Sequence, residues 1–205
     1  MKTPLLVFNQ KGIYCEAADV YLDPWKPVKK AIISHGHADH SRWGHQQYIT
    51  HHTNVPIIKH RLGDISVTGK AWNETFTING VKFSLHPAGH IVGSSQIRVE
   101  HKGEVWVFTG DYKTEDDGLA VPYEVVKCHT FITECTFGLP AFKWLPQQQV
   151  FNDINNWWQQ NQQIVWSCLQ KAAVAQETTR AVCERIRLHK KRCETVGQKR
   201  NHELQ

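Results

Sequence analysis

Ala31-Ile32-Ile33-Ser34-His35-Gly36-His37-Ala38-Asp39-His40 is the stretch on which the reading of this 205-residue chain turns. Its apolar half reads as the end of a buried strand over 28–34 that stops at His35. Its other half crowds three imidazoles and a carboxylate into six residues. That donor set suits Zn²⁺, with Mn²⁺ and Fe²⁺ as alternatives. His35 and His37 can hold one ion. Asp39 and His40 point elsewhere in so tight a turn, which leaves them for a second ion beside the first.

Completing two sites takes donors from distant positions, and the same arrangement of strand followed by ligand recurs along the chain. Phe83 leads through Pro87-Ala88-Gly89 to His90. Val105-Trp106-Val107-Phe108 leads through Thr109-Gly110 to Asp111, and Phe131-Ile132-Thr133 leads directly to Glu134. Four apolar strands thus end on a ligand or on a group that supports one. Such strand ends are expected to gather at one sheet edge as a rigid floor, with loops as walls. His90 and Asp111, each after a glycine, are the best-placed further ligands.

The rest of the pattern is strand-rich with helices inserted, so the class is mixed α and β. Short strands are expected within 12–23, a helix over 40–47 and a strand over 48–50. Asn79-Gly80 should turn a hairpin between 73–80 and 81–85. A second hairpin is expected between 95–100 and 104–109 about His101-Lys102-Gly103. One more strand is expected over 130–133. An amphipathic helix is expected over 147–163, with Val150, Ile154, Trp157 and Trp158 on one face.

Composition narrows the class. No apolar run approaches the roughly 18–20 residues of a membrane span. Pro4-Leu5-Leu6-Val7-Phe8 is too short for a secretory signal. The six cysteines form no Cys-x-x-Cys pair, which fits reduced thiols and a soluble, cytoplasmic protein. Any metal must then be held by carboxylates and by members of an unusually large set of 13 histidines. The formal charge of +5 is uneven, because residues 166–205 carry nine Lys and Arg against four Glu while the remainder balances. That break near Ile164 sets the expected division into a folded domain over 1–164 and a basic tail over 165–205. Such a tail is a helical or disordered solvated end, or an arm for nucleic acid.

His35-x-His37-x-Asp39-His40 followed by His90 and Asp111 resembles the metallo-β-lactamase superfamily in ligand type, order and spacing. His90-Ile91-Val92-Gly93-Ser94 and Glu134-Cys135-Thr136-Phe137-Gly138 resemble its β-CASP nucleases. Tyr21-Leu22-Asp23-Pro24-Trp25 and Gly138-Leu139-Pro140 resemble the bacterial ligase-associated DNA exonucleases among them. The resemblance implies an αββα sandwich, incomplete here, with the β-CASP domain largely missing. It implies that His35, His37 and His90 hold one divalent ion and Asp39 and His40 the other, with Asp111 bridging. Asp23 would buttress the metal loop, with Asp19 the weaker candidate. Glu134 would support the active-site groups as a catalytic acid, and Ser94 would be the small residue that follows the glycine. Two Zn²⁺ ions, or Mn²⁺, would then activate a water for phosphodiester hydrolysis of DNA or RNA, exonuclease-type and tied to DNA repair. An ATP-dependent DNA ligase and a helicase are the implied partners, and Lys113 and Lys143, with Phe142 and Trp144, are the candidate nucleic-acid contacts.

The family's second-ion histidine has no counterpart after Ile164. His189 and His202 lie in polar surroundings, and His129 stands before a strand rather than after one. The expectation is therefore a truncated or frame-shifted product with impaired activity. Two rivals share the ligands: a small-molecule thioester or lactone hydrolase of the same superfamily, and a fragment that binds metal or nucleic acid without turnover.

Overall fold

The computed structural model describes residues 4–136, 138 and 145–164. The chain divides into two compact units, Met1–Phe142 and Lys143–Gln205.

Two sheets build the first unit. One contains β1 (Val7–Asn9), β2 (Gly12–Cys15), β3 (Val20–Leu22), β4 (Lys30–Ile32), β5 (Gln47–His51) and β6 (Val67–Lys70), in that order. The β1–β2–β3 pairs are antiparallel, and the pairs from β3 to β6 are parallel. The other sheet contains β7 (Phe76–Ile78), β8 (Val81–Pro87), β9 (Ser95–His101), β10 (Glu104–Phe108) and β11 (Thr130–Ile132) in the order β11-β10-β9-β8-β7. Only its β10–β11 pair is parallel.

Side-chain alternation explains how the sheets meet. Ile13, Leu22 and Ile32 of the first sheet join Phe83, Leu85, Ile97 and Val99 of the second in one buried core. Ala31 and Ile33 face the other way, where they pack with Val28, Tyr48 and Ile58 of helix α1 (Val55–Leu62). The expected mixed α/β architecture is thus present, layered as helix, sheet and sheet. Both expected hairpins form. Asn79 and Gly80 turn the first with φ of +48° and +81°, and Lys102 and Gly103 turn the second with +50° and +77°.

Two expectations need correction. Residues 40–47 form no helix. The chain turns at His37–Ser41 through backbone bonds from His40 and Ser41 to the His37 carbonyl, then leaves helical space at Gly44, where φ is +96°. Helix α1 lies instead just downstream, started by Asn54-Val55-Pro56 and stopped at Gly63. The ligand-bearing strand ends also come from two sheets rather than one edge, His35 following β4 while His90, Asp111 and Glu134 follow β8, β10 and β11.

In the second unit the expected helix is α2 (Gln147–Gln160). Val150, Ile154 and Trp157 on it are exposed. Among the described residues, no helix is long and apolar enough to cross a membrane.

Phe83 is fully buried where the two sheets meet. Phe83→Ala is expected to cost about 3–5 kcal/mol of unfolding free energy, read from urea denaturation; a loss under about 1 kcal/mol would contradict this core.

Candidate metal centre

The site is built on Asp23 and Ser34, at the ends of neighbouring strands β3 and β4. Asp23 is buried with φ of +39°, an uncommon conformation for a residue other than glycine. Its Oδ1 accepts the Ser34 amide at 2.7 Å, and its Oδ2 accepts the Ser34 hydroxyl. Oδ2 also meets His40 Nδ1 at 2.7 Å. A hydroxyl has one proton, so Ser34 Oγ, donating to Asp23, accepts from His35 Nδ1 at 2.9 Å. The proton of His35 therefore sits on Nδ1, and Nε2 keeps its lone pair. That Nε2 is buried and has no hydrogen-bond partner.

Around this nitrogen the expected ligands converge. Donor atoms of His35, His37, His90 and Asp111 all lie within 4.8 Å of one another. His37 Nδ1 and His90 Nε2 are 3.2 Å apart, and Asp111 Oδ2 stands 3.6 Å from both His35 Nε2 and His90 Nε2. A tetrahedral ion with bonds of about 2.0–2.1 Å holds its ligands roughly 3.3–3.4 Å apart. Spacing, donor type and the orphaned Nε2 together fit a divalent cation. The other oxygen of Asp111, Oδ1, is 3.1 Å from His40 Nε2, so one carboxylate faces two groups of imidazoles.

Two glycines make the approach possible. Gly89 has φ of +73°, and a Cβ there would overlap the Lys113 carbonyl oxygen. Gly110 has φ of +56°, and a Cβ would come within 2.6 Å of Ser34 Cβ. His90 and Asp111 follow directly.

The chain is 34% identical over 149 residues, 70% of its length, to a protein of Opitutus terrae named "Probable DNA ligase". It is 38% identical over 71 residues, 33% of its length, to the endoribonuclease ysh1 of Aspergillus fumigatus. It spans 14% and 8% of the lengths of these relatives. A solved metallo-β-lactamase of Cronobacter sakazakii, a HARLDQ-motif mutant, aligns with a TM-score of 0.38 at 13% identity, over 50% of this chain and 54% of that one. No protein-family model matches. The chain resembles the β-CASP nucleases of the metallo-β-lactamase superfamily.

Other residues expected at the site are placed less centrally. Asp39 is 71% exposed at its side chain and reaches His40 Nε2 only at 3.6 Å. Ser94 is buried, and its Oγ accepts the amides of His90 and Ile91, which fixes the His90 loop. Glu134 is half-buried and close enough to His90 to favour its protonated form; one of its oxygens accepts the Thr136 amide at 3.2 Å. Asp19 bonds the Tyr14 hydroxyl and takes no part in the cluster. Lys113 donates its amide to Ala88 O, and its ammonium lies 3.7 Å from Asp117. Lys143, with Phe142, Trp144, Phe137 and Leu139-Pro140, lies outside the described residues, as does the tail with His189 and His202.

Two supports escaped the sequence reading, both at the ends of α1. Asn54 Nδ2 donates to Gly93 O at 2.7 Å and to Ser34 O at 3.4 Å, tying the His90 loop to the His35 loop. Arg61 donates to Gly36 O at 2.6 Å and also to Ser41 Oγ. The Asn-x-Pro start and glycine stop of α1 were the available signal.

The imidazoles differ in charge. Burial first, then the positive charge of His40, pushes His35 down to about 3. Burial also lowers His90. For His40 burial acts the same way, but hydrogen bonds to Asp111 and Asp23 outweigh it and carry the group up to about 10. The bond from His40 in turn lowers Asp111.

These shifts have opposite consequences for the metal-free protein. His40, raised above its ordinary 6.5, contributes stability that is complete below that value and lost as pH rises toward about 10. His35, depressed to about 3, contributes stability present above 6.5 and lost as pH falls. His45 and His51, each lowered by burial to about 4, add to the acid limb. Urea midpoints of chelator-treated protein should therefore peak near neutrality, and His40→Gln should flatten the alkaline limb and, by removing a charge that disfavours protonation of His35, soften the acid one. An unchanged alkaline limb would refute the assignment.

Proposed function

We propose that this centre is that of a metal-dependent phosphodiester hydrolase acting on DNA or RNA, with two divalent ions, Zn²⁺ by preference and Mn²⁺ as the alternative. The supporting observation is the divided carboxylate of Asp111, Oδ2 facing His35 and His90 and Oδ1 facing His40. His35, His37 and His90 would hold one ion, Asp39 and His40 the other, and Asp111 both. Bound ions there supply Lewis acidity, lowering the pKa of a water toward neutrality and offsetting charge on phosphate oxygens.

The chain's own residues prepare that chemistry. Ser34 Oγ fixes the tautomer of His35, and burial keeps the ring neutral. Asp23 Oδ2 engages Nδ1 of His40, so its Nε2 faces Asp111 and must release a proton before it can donate a lone pair. Ser94 holds the His90 loop. The Glu134 carboxylate, beside His90, is placed to stabilise positive charge there or to accept a proton.

The finer reading is exonuclease-type cleavage in a DNA-repair setting, with an ATP-dependent ligase and a helicase as partners. It rests on the ligase-associated resemblance and on the relative named a DNA ligase. The endoribonuclease relative keeps RNA in view as substrate. Lys113 and Lys143 are the proposed phosphate contacts of that substrate, and residues 165–205 are the proposed basic tail.

The test uses the whole chain, stripped with chelator and reloaded with Zn²⁺ or Mn²⁺. End-labelled single-stranded DNA and RNA, bis(4-nitrophenyl) phosphate, a thioester and a lactone form the substrate panel. Weak metal-dependent phosphodiester cleavage is expected, falling on the order of 100–1,000-fold in Asp111→Asn and in His35→Ala. Turnover of the thioester or lactone alone would replace this reading with a small-molecule hydrolase. Metal uptake without turnover of any substrate would leave only a binding fragment.

Metal should also stabilise the fold, since the donors converge only in the native state. The thermal midpoint is expected to rise on reloading and to fall back with chelator. An unchanged midpoint at metal concentrations well above the protein's would count against the centre.

A further inference from the structure

Beside the metal loop, three chain segments lie against one another and carry a different chemistry. Trp25 donates its amide to Lys11 O at 3.0 Å. Gln46 and Gln47 donate theirs to Val28 O and Lys29 O at 3.0 and 2.9 Å, and Gly44 sits so close to Pro27 that a Cβ would meet Pro27 Cγ at 3.0 Å. Residues 10–11, 24–29 and 42–47 are therefore neighbours.

Trp43 is 72% exposed and Trp25 is 42% exposed. Neither indole hangs loose, because Trp43 Nε1 donates to Leu62 O at 3.2 Å and Trp25 Nε1 to Gln10 O at 3.0 Å. Each ring is pinned by its one polar atom while apolar surface remains open. Lys11, Lys26, Lys29 and Arg42 in these segments are exposed as well. Arg42 Nε donates to Asp39 O at 3.1 Å, which sets the guanidinium at the edge of the ligand loop. Asp23, two residues before Trp25, is buried and committed to Ser34 and His40, whereas Asp39 beside Arg42 stays exposed.

Aromatic rings held open among cations are what unpaired nucleotides need, since bases stack on the rings and phosphates meet the charges. A duplex hides its base faces and cannot use an indole in this way. We infer that Trp25, Trp43 and the surrounding Lys26, Lys29 and Arg42 form a platform for single-stranded nucleic acid, which meets the ligand loop at Arg42. This deepens the nuclease reading and rests on it for cleavage alone, since binding to the platform requires no metal.

The experiment measures anisotropy of a fluorescein-labelled 12-nucleotide oligothymidylate with the full chain in chelator. Trp43→Ala and Trp25→Ala are each expected to weaken binding about tenfold, with Phe at either position restoring most of it. Lys26→Gln should reduce the salt slope by about one, and a duplex of equal length should bind more weakly than the single strand. Should an Ala variant fold poorly, the Phe variants together with Lys26→Gln and Arg42→Gln still report. Wild-type affinity in both Ala variants, equal affinity for duplex, or a change of oligomeric state in place of a change in affinity would each overturn the platform, the last assigning the surface to a protein partner. Hydrolysis of bis(4-nitrophenyl) phosphate by the unaltered chain is scored separately. Its absence with platform binding intact defeats only the hydrolase reading, and its presence with binding indifferent to the tryptophans defeats only the platform.

Discussion

The carboxylate of Asp23 accepts two hydrogen bonds from Ser34 and one from His40, and the candidate metal centre depends on that arrangement. A buried carboxylate is costly unless its lone pairs are engaged, and these three bonds engage them. They also join the end of β3 to the end of β4, so the turn carrying His35, His37, Asp39 and His40 starts from a fixed point. Their chemical effect reaches further than their mechanical one. By committing the Ser34 hydroxyl proton, Asp23 obliges Ser34 Oγ to accept from His35 Nδ1, and through that relay a residue outside the ligand set decides which nitrogen of His35 keeps a lone pair. The left-handed backbone of Asp23 persists because the same bonds hold it.

The donors that converge were legible because short strands ending in histidine or aspartate are local features of sequence. Asn79-Gly80 was legible for the same reason, since a two-residue turn with both φ positive leaves few residue choices. What stayed hidden depends on distance. That His35 and His90 arrive from different sheets is fixed by the packing of Ile32 and Leu22 against Phe83 and Leu85, which no local pattern encodes. The helix expected over 40–47 failed because the side chains that suggest it are engaged in the metal turn, and because Gly44 breaks the backbone out of helical space. Helix α1 was overlooked for the complementary reason. Its interior Lys59, His60 and Arg61 look like surface loop until Ile58 is seen to be fully buried and Arg61 to hold Gly36.

That helix explains how two sheets can make one site. Its N-terminal neighbour Asn54 bonds backbone carbonyls on both ligand loops, and Ser95 donates its amide to Ser34 O at 2.9 Å along the same seam. Gly93 and Gly36 complete the fit, because a Cβ on Gly93 would strike Thr53 and Asn54, and one on Gly36 would strike Ile57. Side chains from a helix, rather than strand pairing, thus set the separation of His35 and His90 to which a single ion must conform.

The electrostatics then make the two positions unequal. His35 is held neutral by burial, and His90 is lowered in the same direction, so proton competition at the first position is weak near neutral pH. His40 is the opposite case. Lying between two carboxylates, it binds a proton more tightly than free histidine does, and that proton occupies the nitrogen a second ion would need. Charge on His40 also disfavours charge on His35, so the protonated state of one position helps preserve the metal-ready state of the other. A two-ion centre would need that nitrogen free, so His40 is the residue whose deprotonation it would require, while His35 already offers its lone pair.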